Sequence, residues 1–145
     1  MRSIFPFVMF GMLMIACAAK ASSGQDARSI DPQTILNKTW QWESTITPVE
    51  KIKVPNPERY TILLTRQGKV QARFDCNHGG GDYKISEGKL SFGPLISTRM
   101  ACPTDTLDAP FMRDLQRVVS FFIENGSLFL ELPFESGTMK FRPAS

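Results

Sequence analysis

A chain of 145 residues leaves room for one domain. Its hydrophobic share of 42% and charged share of 21% are those of a folded protein and exclude a disordered chain. The formal charge of +3 is small, and no basic run or aromatic-interleaved basic patch accompanies it, so a nucleic-acid partner is not expected.

The chain opens on Arg2 and an apolar run from Ile4 to Ile15 (IFPFVMFGMLMI). About a dozen such residues suit the h-region of a signal peptide and fall short of the roughly 20 needed to span a bilayer. Pro6, Gly11 and the polar stretch that follows weigh against a buried core helix. The run ends in Met14-Ile15-Ala16-Cys17, which resembles the lipobox of bacterial lipoproteins, with Met14 where that pattern prefers Leu. Residues 1–17 then form a lipoprotein-type signal and Cys17 is the lipidation site. Two or more acyl chains make a stable membrane anchor, where one binds only marginally. Ala18 is not the aspartate associated with inner-membrane retention, so the resemblance points to the periplasmic face of the outer membrane. The rival is cleavage after Ala19-Lys20-Ala21, which releases a soluble periplasmic protein. Three cysteines are an awkward number in an oxidising compartment; with Cys17 lipidated, Cys76 and Cys102 remain as a pair.

Residues 18–33 are small and polar, with no apolar period, and read as a flexible tether. Asp31-Pro32 suits the cap and first turn of a short helical stretch through Ile35-Leu36. From there, residues 34–143 read as one domain of short strands. Thr39 to Thr45 alternates with Trp40 and Trp42 on one face. Pro48, Pro55 and Pro57 make the next stretch a loop or an edge. Tyr60, Ile62 and Leu64 share a strand face. After a turn at Arg66 to Lys69, Val70, Ala72 and Phe74 point inward on the next strand. Cys76 to Gly81 reads as a tight glycine-rich corner, and a hairpin follows through Glu87-Gly88. Gly93-Pro94 breaks the chain before Leu95 to Cys102.

The single helix candidate comes next. Asp108 can cap it, Pro110 falls in its first turn, and Phe111, Leu115, Val118 and Val119 recur at helical spacing. Phe121 to Glu124 meets Ser127 to Leu132 across Asn125-Gly126, a strong hairpin signal. A last strand, Thr138 to Arg142, turns Met139 and Phe141 inward.

Several blocks then stand in a telling order: Trp40-x-Trp42, Pro57 to Thr61, Asp75-Cys76-Asn77 ahead of glycines and Tyr83, and Lys89 to Pro103 with its Thr98-Arg99-Met100-Ala101-Cys102 core. They resemble the META domain, or HslJ-like, family over about residues 34–142. The resemblance implies a mainly β (α+β) fold, a compact antiparallel sheet or partly closed barrel with one helix packed on it. It also implies an exported or lipid-anchored protein, with some members linked to heat shock, antibiotic tolerance or secretion. It implies no reaction.

Cys76 and Cys102 lie 26 positions apart, each at the end of an expected strand. A structural disulfide is the leading reading. Free thiols and a redox-active pair are the rivals, the last lacking the short spacing at a helix start that lowers a thiol pKa. His78, with Asp75, Cys76 and Asp82 nearby, suggests a metal site or a Cys-His nucleophile. A solvated turn histidine is the simpler reading. Gly79-Gly80-Gly81 lacks the lysine and hydroxyl residue of a phosphate loop and reads as a turn needing positive φ. Arg59, Arg66, Arg73 and Arg99 read as a solvated strand face rather than a cationic site. Trp40, Trp42, Phe74, Phe92, Phe111, Phe121 and Phe129 read as core rather than as the lining of a ligand cavity.

The expected function is therefore a non-enzymatic, monomeric envelope lipoprotein, possessing no cofactor or metal, that binds a protein or envelope component under stress. The alternative is a small exported inhibitor or ligand-binding β domain. An enzyme using Cys76 and His78 ranks last.

Overall fold

The computed structural model describes residues 28–145. The expected signal peptide, the Cys17 site and residues 18–27 of the expected tether lie outside the described residues.

Apolar alternation builds most of the fold. In β1 (Thr39–Ile46) Trp40, Trp42 and Thr45 are buried, and in β3 (Tyr60–Leu64) Tyr60, Ile62 and Leu64 are. In β4 (Lys69–Phe74) they are Val70, Ala72 and Phe74. Strands β5 (Asn77–Ser86) and β6 (Lys89–Phe92) form the next hairpin, turning through Glu87 and Gly88 at positive φ. Strands β8 (Ser120–Glu124) and β9 (Ser127–Glu131) turn through Asn125 and Gly126, both at positive φ, as the hairpin signal required. The final strand, β10 (Thr138–Pro143), pairs with β9 and with β1. Two short pieces complete the set: β2 (Lys51–Lys53) pairs with β1, and β7 (Ile96–Ser97) pairs with β5.

The sheet order β10-β9-β8-β6-β5-β4-β3-β1 closes on itself through the β1–β10 pairing, which gives an antiparallel barrel. Its thinnest seam is β6–β8, where Lys89 and Ser120 are the one registered pair. One helix, α1 (Asp108–Leu115), plugs the interior. Its Phe111 stacks on Trp42 with ring centroids 4.8 Å apart and meets the rings of Tyr60, Phe74 and Phe141. Such ring pairs add to the area they bury, so this aromatic knot fixes the helix to four strands at once.

The helix is shorter than its apolar spacing suggests. Leu107 occupies the cap position, and Asp108 is the first helical residue, its Oδ1 accepting from the Ala109 N–H at 2.7 Å. The helix ends at Leu115; Val118 is buried beyond it, while Val119 is 42% exposed. The Asp31-Pro32 turn forms as expected: Pro32–Thr34 is one 3-10 turn, and the Asp31 side chain accepts from the Gln33 N–H.

Two aromatic and glycine expectations are corrected. Phe129 does not point inward. Leu128 and Leu130 fill that face of β9, and Phe129 stacks on Phe122 at 4.8 Å on the outer side. Gly79, Gly80 and Gly81 do not make a positive-φ turn; they lie within β5, and the left-handed residue of this corner is Asp75, at φ 62°. The glycines are needed because neighbouring backbone occupies the space of a side chain. A Cβ on Gly79 would lie 1.8 Å from the Ile96 carbonyl oxygen, and one on Gly80 would lie 2.1 Å from that of Val70.

The part of the expected tether that is described packs on the barrel. Ser29 exchanges two backbone hydrogen bonds with Ile123, at 2.9 and 2.7 Å. Arg28 lies 3.6 Å above the Phe122 ring and 2.8 Å from Glu131.

Candidate functional site

Asp75, Cys76, Asn77 and His78 come together where β4 turns into β5, whereas Asp82 lies at the other end of the same strand pairing, opposite Lys69 and ion-paired with it. Asp75 adopts its left-handed conformation with its carboxylate buried, and Arg59 grips Oδ1 from the turn before β3. The bond to Asp75 raises the Arg59 pKa above its ordinary value, which keeps the guanidinium charged. The Arg73 side chain donates to the Asp75 carbonyl at 2.9 Å. Two of the four arginines expected on a solvated face are thus committed to one corner. Arg66 and Arg99 are exposed.

Cys76 follows and is bonded to Cys102, with Cα atoms 5.6 Å apart, within the ordinary range for a disulfide. The next residue, Asn77, is buried and ties down the same partner segment. Its Oδ1 accepts from the Thr98 hydroxyl at 2.8 Å and the Met100 N–H at 2.7 Å. Its Nδ2 donates to the Met100 carbonyl and to Cys102 Sγ. The His78 backbone adds two links to Thr98, its carbonyl accepting from the Thr98 N–H at 2.9 Å and its N–H donating to the Thr98 hydroxyl at 3.1 Å. The Thr98-to-Cys102 block is therefore held on β5 by a covalent bond and a buried amide.

That segment forms one wall of a cleft of about 420 Å³; the start of α1 forms another. Thr98, Met100 and Asn77 face Asp108, Ala109 and Met112 across it, with Phe74 at the base. Met100 is 57% exposed, while Ile96, 75% exposed, borders a separate depression with Gly79 to Gly81. The cleft thus combines the thioethers of Met100 and Met112 with the Asp108 carboxylate, the Arg99 guanidinium and the hydroxyls of Ser97 and Thr98. Strand β7 pairs with β5 alone among the described residues, which leaves its second edge open.

His78 sits on β5 opposite Arg73, exposed, rather than in a turn. With the Cys76 sulfur in a disulfide, no thiolate stands beside it. Among the described residues, no group of three or more His, Cys, Asp or Glu side chains comes together in a way that would hold a metal ion. The Asn77 role was missed in the sequence, although Asn77 lies inside the Asp75-Cys76-Asn77 block, because an amide's partners depend on a segment some twenty residues away.

The family model of the META domain matches residues 33–144. The chain belongs to the META domain family. It is 24% identical over 128 residues to heat shock protein HslJ of Escherichia coli (strain K12), an overlap covering 88% of this chain and 81% of that protein. Its fold is similar to the NMR structure of a protein from Burkholderia xenovorans, with a TM-score of 0.65 and 23% identity over 78% of this chain and 86% of the other. A crystal structure of a DUF4847 family protein from Bacteroides vulgatus shares the fold at a TM-score of 0.58 with 9% identity, over 76% of this chain and 94% of that one. The disulfide and the Asn77 clamp thus fall inside the META unit.

Proposed function

We propose that this META domain is a binding module of the bacterial cell envelope, carried on a lipid at Cys17, and that it performs no catalysis. The leading observation is the cleft beside the Thr98-to-Cys102 segment. Its wall is fixed by the Cys76–Cys102 bond and Asn77, and its floor and rim are Phe74, Met100 and Met112. Methionine-bearing surfaces adapt to partners, and an open strand edge offers backbone groups to an extended peptide. The ligand class is therefore a peptide segment of an envelope protein, lying along β7. Periplasmic residence supports the bonded state of Cys76, and that state argues against a Cys-His enzyme. A ligand-binding β domain with an internal cavity is the weaker reading, because the interior around Phe111 is filled by Trp42, Tyr60, Phe74 and Phe141.

A photo-crosslinking amino acid placed at Met100, and separately at Lys84 on the far hairpin, tests this in cells. A discrete adduct from Met100 that is absent from Lys84 supports the cleft. Adducts from both sites in equal yield, or from neither, remove it.

A further inference from the structure

The outer face of the barrel at β2, β1 and β10 carries more cations than carboxylates. Directly opposed residues of antiparallel strands share a side of the sheet. Lys53 stands opposite Ser44 and Lys51 opposite Ile46, while Ser44 also stands opposite Lys140. Trp40, Trp42 and Thr45 point the other way, into the core. Arg142, two residues along β10 from Lys140, continues the row and, among the described residues, donates to the neutral Gln41. One carboxylate answers them: Glu43, 3.1 Å from Lys140. Lys51, Lys53 and Lys140 border a shallow depression of about 260 Å³ whose remaining lining is Glu43 and Ser44.

The chain enters the domain on this same face. Phe129 stands opposite Lys140, Phe122 stacks on it, and Arg28 covers Phe122. The outer face of β2, β1 and β10 itself holds four cations against one carboxylate, while residues 28–145 as a whole hold fifteen basic and thirteen acidic side chains. The rest of the domain is thus slightly acidic, and the positive charge is gathered here. Between Cys17 and Arg28 the chain reaches at most roughly 40 Å.

We propose that the outer face of β2, β1 and β10 is a docking surface for an anionic phospholipid bilayer, with Lys51, Lys53, Lys140 and Arg142 set against its phosphate groups. The orientation rests on the anchor proposed above, which brings the bilayer to the face where Arg28 joins the barrel. The charge argument stands apart from it: basic side chains brought against an anionic lipid surface strengthen binding by roughly five-fold each. A broad, shallow, cationic sheet face suits a planar array of phosphates better than a single buried anion.

Amine labelling of the mature chain, read lysine by lysine by mass spectrometry, tests this. The chain is mixed with vesicles of phosphatidylcholine and phosphatidylglycerol, or of phosphatidylcholine alone. Labelling of Lys51, Lys53 and Lys140 should slow several-fold in the anionic vesicles only, with Lys84 and Lys89 unchanged, and high salt should abolish the protection. In the Lys51→Gln/Arg142→Gln variant, the protection of Lys140 should fall away. Equal labelling in both vesicles overturns the proposal. Protection by inorganic phosphate without vesicles also overturns it, in favour of a small-anion site. Intact mass of the same sample separates the two readings. An unacylated chain that sediments with phosphatidylglycerol vesicles keeps the docking face and loses the anchor. An acylated chain with unprotected lysines keeps the anchor and loses the face.

Discussion

Asn77 holds Met100 by both of its backbone polar groups, accepting from its N–H at 2.7 Å and donating to its carbonyl at 3.3 Å. A side-chain amide that replaces a strand partner in this way fixes a segment that has little ladder pairing of its own. The Asn77→Ala variant leaves those groups and the Thr98 hydroxyl without their buried partner, so it should lose about 2–3 kcal/mol of stability in urea titration. The Asn77→Asp variant keeps both acceptor bonds but sets a carboxylate oxygen against the Met100 carbonyl, and it too should be destabilised. Hydrogen exchange should accelerate first at residues 98–102. Uniform acceleration across the barrel would show that the clamp is part of the global core instead.

The glycine run of β5 makes a second, sharper contrast. A methyl group on Gly79 would overlap the Ile96 carbonyl oxygen at 1.8 Å, whereas one on Gly126 meets nothing within 4 Å and faces only its φ of 73°. Gly126→Ala should therefore cost about 1–2 kcal/mol, the penalty of a left-handed side chain. Gly79→Ala must displace β7 and the Thr98-to-Cys102 segment, and its thermal midpoint should drop further than that of Gly126→Ala. Equal midpoints would mean that β7 lifts away at little cost.

Removing the disulfide asks how much of this corner is covalent. Closing a loop of 26 residues is worth about 3 kcal/mol through the unfolded chain. The Cys76→Ala/Cys102→Ala double variant should lose that amount in urea titration without losing its β-sheet circular dichroism, because the aromatic knot around Phe111 is untouched. A loss well above that figure would mean that the bond also holds native contacts that Asn77 alone does not.

Much of this fold was legible because its strands are half-buried and short. Period-two patterns at Tyr60, Ile62 and Leu64, or at Met139 and Phe141, leave little choice of face, and Asn125-Gly126 states its hairpin outright. The misread positions lie where the partner is remote. Phe129 looked buried by residue type, yet the alternation of Leu128 and Leu130 decides the face, and Arg28 with Phe122 completes its outer setting. Gly79 to Gly81 looked like a turn because conformational freedom is the local reason for glycine; the actual reason, close approach by the backbone of Val70 and Ile96, is tertiary. The candidate site was half legible: its cysteines and the Thr98-to-Cys102 block were visible, while the Arg59–Asp75 pair and the Asn77 bonds depend on segments brought together by folding.

Tyr83 gives the domain an alkaline limit. Burial raises its pKa above the ordinary value of 10.0, and its hydroxyl donates to the Thr65 carbonyl. Below pH 10 the phenol is neutral in both states and adds no slope. As pH rises past 10, the unfolded chain releases the proton while the native domain retains it, so stability falls until the native group also titrates. The Tyr83→Phe variant loses about 1 kcal/mol with the hydrogen bond at neutral pH and should show a flatter decline above pH 10. Parallel declines in the two proteins would assign the alkaline slope to other groups.

The anchor is decided by mass. The Met14-to-Cys17 block and the Ala19-Lys20-Ala21 block would direct cleavage to different bonds, and the two products would differ in their first residue and in their acylation. Protein taken from membranes without reductant and alkylated should begin at Cys17, carry acyl chains and take up no alkylating reagent, since Cys76 and Cys102 are bonded to each other. A Cys17→Ser variant should then leave the membrane fraction or accumulate with its signal uncut. A chain beginning at Ser22 would instead make this a soluble periplasmic domain. Any hold on the membrane would then fall to the cations of β2, β1 and β10 alone, and that hold should weaken with salt, as a purely electrostatic contact does.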